Sequence, residues 1–114
     1  MTFKQYAIIT HHNRHESCTN LVGQLVADGV EVVVIDNASE TAFKSDLAYV
    51  IRNDEVAPEF NLSRLWNIGL HSVNFLHHVK YKLFSEYSVT VFNDDVSIPE
   101  GFCDKMTRAI ELHE

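Results

Sequence analysis

Two rhythms of apolar residues divide this chain. Tyr6-Ala7-Ile8-Ile9-Thr10 and Val30-Glu31-Val32-Val33-Val34-Ile35 are short, nearly continuous apolar blocks, the pattern of strands covered on both faces. The second is the more β-branched and is expected at the centre of a parallel sheet. Tyr49-Val50-Ile51-Arg52 is shorter and more polar, which predicts a strand nearer an edge. Val89-Thr90-Val91-Phe92 predicts a fourth, buried strand, which drives straight into Asn93-Asp94-Asp95. Between these blocks the period is helical. Cys18, Leu21, Val22, Leu25 and Val26 make one stripe, stopped by Asp28-Gly29. Asn13 and Glu16 have the spacing of a capping box at its start. Leu65, Ile68, Gly69, Ser72, Val73, Leu76 and Val79 give a longer helix a core face, starting at Asn61 or Ser63. Gly69 costs that helix up to about 1 kcal/mol relative to Ala, so a close neighbour is expected there. His77, His78, Lys80 and Lys82 place cationic side chains at its C-terminal end, where the dipole favours them. Glu40 to Leu47 is expected to be a short helix. Ser97-Ile98-Pro99-Glu100 reads as a second capping box, opening a last helix with Phe102, Met106, Ala109 and Ile110 inward.

Strands alternating with helices predict an α/β fold: an open, mainly parallel four-stranded sheet with helices on both faces and right-handed crossovers. The whole chain, 1–114, is expected to be one domain. In such sheets ligands bind outside the carboxyl ends of the strands, where the strand order reverses. Polar clusters fall at three predicted strand ends: Thr10 with His11, Asp36 with Asn37, and Asn93 to Asp95. A strand period of two turns Asn93 and Asp95 the same way and Asp94 elsewhere. Two oxygen-bearing side chains projecting together suit a hard divalent ion, which takes one or two carboxylates plus substrate phosphates.

Composition narrows the field. Apolar residues are 46% and charged residues 22%, as in ordinary globular proteins. The formal charge of −7 disfavours nucleic acid and anionic membranes as partners. No apolar run has the length of a membrane span, and the N-terminus lacks a signal-peptide pattern. Cys18 and Cys103 are not in a metal-binding or redox spacing, and two buried reduced thiols place the protein in the cytoplasm. Histidines four apart, His11 and His15, raise a zinc site, but apart from Glu16 no further ligand sits at a fitting spacing, and a polar loop is the expectation.

Four segments together resemble the N-terminal, donor-binding half of an inverting family 2 glycosyltransferase of the GT-A fold. They are Thr10-His11-His12-Asn13-Arg14 after the first strand, Val32-Val33-Val34-Ile35-Asp36-Asn37-Ala38-Ser39, Asn61-Leu62-Ser63-Arg64-Leu65-Trp66-Asn67-Ile68-Gly69-Leu70, and Phe92-Asn93-Asp94-Asp95-Val96. The last is similar to the family's metal-binding Asp-x-Asp in its Asn-x-Asp form. The resemblance implies a nucleotide-sugar site, UDP-type above all, built from Thr10, His11, Asn13, Arg14, Asp36, Asn37, Arg64, Asn93 and Asp94. Asp36 would take the base or ribose, Arg64 the diphosphate, and Asp95 a manganese or magnesium ion bound together with the nucleotide. Asn93 in place of the first acid implies weak metal binding until the diphosphate completes the shell. Leu62 stands where the family has glycine.

The family's catalytic base lies in an acceptor-binding half that would follow the metal motif, and no position of this chain matches it. The expectation is therefore a metal-dependent glycosyltransferase-like domain whose transfer step needs a partner. A non-catalytic nucleotide-sugar binding module is the alternative, and turnover separates the two. A homo-oligomer or a partner protein is expected to cover the face left by the missing half. A flavodoxin-like or receiver-like domain fits less well, because a receiver's acidic pair comes early in the chain and its phosphoacceptor near the middle.

Overall fold

The computed structural model describes residues 4–54, 62–81 and 86–102, with Asp104, Lys105 and Arg108 beyond them. The elements are β1 (Lys4–His11), α1 (His15–Ala27), β2 (Glu31–Asn37), β3 (Tyr49–Asn53), α2 (Leu62–Tyr81) and β4 (Tyr87–Asn93). All strands are parallel, in the order β3-β2-β1-β4. The fold is thus an open, Rossmann-like α/β sheet.

Crossover handedness explains which face each helix takes. From β1 to β2 to β3 the chain steps in one direction, and right-handed connections put α1 and the following crossover on one face. From β3 to β4 it steps back past β1, which sends α2 to the other face. The two cores record this. Ala7, Ile9, Val32 and Val34 pack with Cys18, Leu21, Val22 and Leu25 of α1 and with Phe43 of the β2–β3 crossover. Tyr6, Ile8, Val33 and Ile35, the alternate positions of the same strands, pack with Leu65 and Val73 of α2. Full burial of such a side chain is worth about 1.5–3 kcal/mol, so the two inner strands anchor both layers.

Several local expectations hold. Asp28-Gly29 closes α1, with Gly29 at φ 83 and its N–H on the Val26 carbonyl, while the Val30 N–H reaches the Leu25 carbonyl. These bonds satisfy carbonyls the helix leaves open. Gly69 is where α2 meets β1: a Cβ there would lie 2.6 Å from Ile8 Cγ2. β2 is interior and β3 an edge.

Others do not. β4 is the opposite edge rather than a buried strand, and Val91 is 36% exposed. No helix forms from Glu40 to Leu47, because the Phe43 N–H and the Ser39 carbonyl are bonded to Asp36 and Arg52 instead of to a helical turn. Asn13 does not cap α1. It sits at φ 61, its side-chain oxygen accepts the Glu40 N–H, and the helix opens two residues later with Arg14 in the capping position. Ser97 does not cap a helix either; its hydroxyl meets the Gln24 amide, and helical residues begin at Phe102. Along α2, Val79 is exposed while His77, four residues after Val73, takes the inward place and meets the Tyr6 hydroxyl at 2.9 Å. α2 opens at Leu62. Asn61, Lys82, Cys103, Met106, Ala109 and Ile110 lie outside the described residues.

Candidate functional site

The strand order reverses between β1 and β4, with Thr10 beside Asn93 in register. In such sheets a crevice forms at the carboxyl rim beside a reversal of this kind. The segments after β1 and β4 both turn to the α1 face, where Ile98 joins the α1-side core and Ser17 Oγ donates to the Asp94 carbonyl. A cleft of about 490 Å³ lies at that point. Thr10, His11, His12, Asn13 and Arg14 line it from β1 and the loop beyond, and Asn93, Asp94 and Asp95 from β4. Leu62 and Leu65, in the first turn of α2, supply an apolar wall.

Asp94 and Asp95 do not follow the strand period. β4 ends at Asn93, and the two acids occupy a turn, with the Val96 N–H 3.4 Å from the Asn93 carbonyl. Burial still alternates, with Asn93 and Asp95 exposed and Asp94 buried, but the two carboxylates reach a common cation. A single nitrogen, Arg14 Nη1, lies 3.0 Å from Asp95 and 3.5 Å from Asp94. The two acids differ in setting. Asp94 is buried, and its Oδ2 meets His11 Nδ1 at 3.0 Å and accepts the His12 N–H at 3.1 Å. The Asp95 side chain is 55% exposed.

The loop after β1 is built against the loop after β2. The Asn13 N–H donates to Ser39 Oγ, and His12 Nδ1 donates to the Asn37 carbonyl. Positive φ at Asn13 and Ala38 lets both backbones turn sharply at this junction. Asn tolerates that region; Ala pays about 1–2 kcal/mol for it.

Asp36 belongs to this junction and not to the cleft. It lies inside β2, opposite His11 and Arg52, and is fully buried. Ser39 Oγ donates to one carboxylate oxygen, and the Phe43 N–H and Arg52 Nη1 donate to the other at 2.8 and 3.0 Å. Burial on its own would raise its pKa, but those three donors outweigh it and hold the carboxyl below its ordinary value. Asn37 is likewise tied, its side chain taking the Asn53 amide at 2.8 Å. Arg64 is exposed and is not among the cleft's lining residues. Of the expected site, Thr10, His11, Asn13, Arg14, Asn93, Asp94 and Asp95 come together, while Asp36, Asn37 and Arg64 do not. Sequence pattern did not reveal Leu65 and His12 as cleft residues, or Ser39 and Arg52 as the side chains behind it, because nothing in linear spacing marks contacts between loops. The four-residue spacing did mark the meeting of His11 and His15, 2.8 Å apart.

Among the described residues, no three His, Cys, Asp or Glu side chains gather closely enough to hold a metal unaided. Asn93 and exposed Asp95 both line the cleft, but Asp95 Oδ2 is paired with Arg14 Nη1 at 3.0 Å. A divalent ion held there would share or displace that contact and take its remaining oxygens from phosphate and water. No helix among the described residues is long and apolar enough to cross a membrane. Comparison with known proteins adds no identity: no family model, curated protein or solved structure matches the chain.

Proposed function

We infer that the chain binds a nucleoside diphosphate sugar, UDP-type, in the β1/β4 cleft, with a divalent metal held at Asp95. The observation that carries this reading is the meeting of Arg14, Asn93, Asp94 and Asp95 in one cleft at the strand-order reversal. Arg14 offers a cation to the diphosphate, and the N-terminus of α2 beside it adds a favourable dipole. Leu62 and Leu65 give the base an apolar surface to rest on, while the Thr10 and Asn93 side chains offer hydrogen bonds. The ion would be manganese or magnesium, and when bound it offsets charge on a departing diphosphate.

Glycosyl transfer would also need a base for the acceptor. Asp94 is committed to His11 and His12, and Asp95 is assigned to the metal, so a partner is the proposed source. The same observation favours a second reading, a binding module without turnover. Phe75 and Val79 of α2 and Tyr49 of the edge strand β3 are exposed apolar residues, which supports association with a second copy or another protein. Buried, unpaired Cys18 fits a reducing, cytoplasmic setting.

Calorimetry with UDP, GDP and dTDP sugars, with and without manganese, tests the binding reading on wild type and Asp95→Ala. Manganese should tighten UDP-sugar binding to the wild type and leave the variant unaffected. Equal affinity with and without metal in the wild type removes Asp95 from its role. Release of free sugar or transfer to an acceptor decides for the enzyme over the binding module.

A further inference from the structure

Behind the cleft, polar atoms form a chain whose protons can be counted. Asp94 Oδ2 lies 3.0 Å from His11 Nδ1, His11 Nε2 lies 2.8 Å from His15 Nδ1, and His15 Nε2 lies 2.7 Å from the Thr41 carbonyl. A carbonyl only accepts, so His15 Nε2 carries a hydrogen. A carboxylate only accepts, so His11 Nδ1 carries one as well, and the His12 N–H on the same Asp94 oxygen agrees with that. Two neutral imidazoles own one N–H each, and both are now spent. The contact between the rings still needs a hydrogen, or two lone pairs face each other at 2.8 Å. With Asp94 ionised the pair holds a third proton; a protonated Asp94 would instead donate to His11 Nδ1 and make His11 the Nε2–H tautomer.

We propose that His15 is a positioning residue that carries this proton, donating from both ring nitrogens to clamp the start of α1 between His11 and the Thr41 carbonyl. His11 is then the neutral Nδ1–H tautomer. Its environment agrees: burial pushes its pKa below the ordinary value, against the opposing pull of Asp94 and Asp36. The charged groups around the pair are Asp94 from the β4 turn, Asp36 from β2, and Arg14 and Glu16 beside His15 in the chain. Phe43 packs against both rings from the crossover. The clamp bears on the cleft because Asn13 and Arg14 lie between the two histidines. Loss of the proton forces the rings apart and frees the segment that carries Arg14. That ligand consequence rests on the nucleotide reading above; the proton itself does not.

The test begins without ligand, by nitrogen-15 NMR of the imidazoles in the full chain across about pH 5 to 8, where histidines ionise. At the acid end, both His15 nitrogens should be protonated and His11 should be the Nδ1–H tautomer. A neutral His15 there, or an Nε2–H tautomer of His11, overturns the proposal. His15→Gln can donate to His11 without titrating, so the His11 tautomer should persist and the shared step vanish. UDP's own terminal phosphate ionises in this range, so binding of UDP with manganese is read as a ratio. Wild type relative to His15→Gln should weaken about fivefold as wild type loses the proton, the worth of one net hydrogen bond. Identical pH profiles in the two proteins overturn the positioning role. If UDP binds neither protein at any pH, the nucleotide reading fails, and the NMR result still decides the clamp.

Discussion

Substitution of Gly69 by Ala sets two effects of opposite sign against each other. Ala in a helix interior is better than Gly by about 1 kcal/mol, so helix propensity alone predicts stabilisation. The structure predicts the reverse. The added Cβ would stand 2.6 Å from Ile8 Cγ2 and 2.8 Å from Ile8 Cδ1. Carbon atoms in contact prefer about 3.5–4.0 Å, so roughly an ångström of relief is needed. Ile8 is fully buried in β1, between β2 and β4, and its Cγ2 moves only with χ1 or with the strand itself. Overpacking of this kind costs about 1–3 kcal/mol, and after the propensity gain a net loss of about 1 kcal/mol remains. Urea unfolding followed by circular dichroism reads it as a lower midpoint, and a domain of this size should melt about 4 °C lower or more. The cause is separable from the loss. Ile8→Ala removes every atom in the clash at its own cost of about 2–5 kcal/mol, so the double variant should be more stable than the two losses added together. A higher midpoint for Gly69→Ala, or strict additivity with Ile8→Ala, would show that the Cβ does not meet Ile8. Loss of fit here would also disturb Leu65, one helical turn before Gly69, and hence the wall of the cleft.

Other consequences are as direct. Asp36→Ala strips its partner from the Phe43 N–H and from Arg52, and should cost about 2–3 kcal/mol in chemical denaturation. Because the folded carboxyl is held below its ordinary value, its contribution is complete above the unfolded pKa of about 3.9 and is lost as pH falls through the folded one. An acid-unfolding midpoint that Asp36→Asn leaves in place would contradict this. Ala38→Gly relieves positive φ at a cost in unfolded-state entropy, so stability should change by less than about 1 kcal/mol, whereas Ala38→Val should be clearly destabilising. Burial pushes the Cys18 thiol to about 12, with Asp94 and Asp36 adding to the rise. Alkylation of Cys18 at mildly alkaline pH should therefore wait for unfolding, as peptide mapping of the modified protein would reveal.

The layers follow from the order of residues alone. Continuous β-branched runs at 30–35 and 6–10 and helical stripes at 18–26 and 65–76 leave little alternative to a parallel sheet covered on both sides. The reason is that hydrophobic period is a local property, printed in the order of residues. Even the close approach at Gly69 was legible, since a helix interior keeps a glycine at a cost. Elements whose shape depends on distant partners were not legible. The 40–47 segment has helix-compatible residues, yet Asp36 and Arg52 claim its backbone groups. Asp36 stands at the carboxyl end of β2 as it reads, yet β3 brings Arg52 against it and the fold, not a ligand, takes its carboxylate. Asp94 and Asp95 read as pointing apart, yet the strand stops before them and Arg14 meets both. His11 and His15 are four apart in the chain, but their link to Asp94 and Thr41 exists only because β1 lies beside β4 and the crossover folds over α1. Hydrogen bonding is directional and paired, so a polar residue's role is settled by which partner the fold delivers to it.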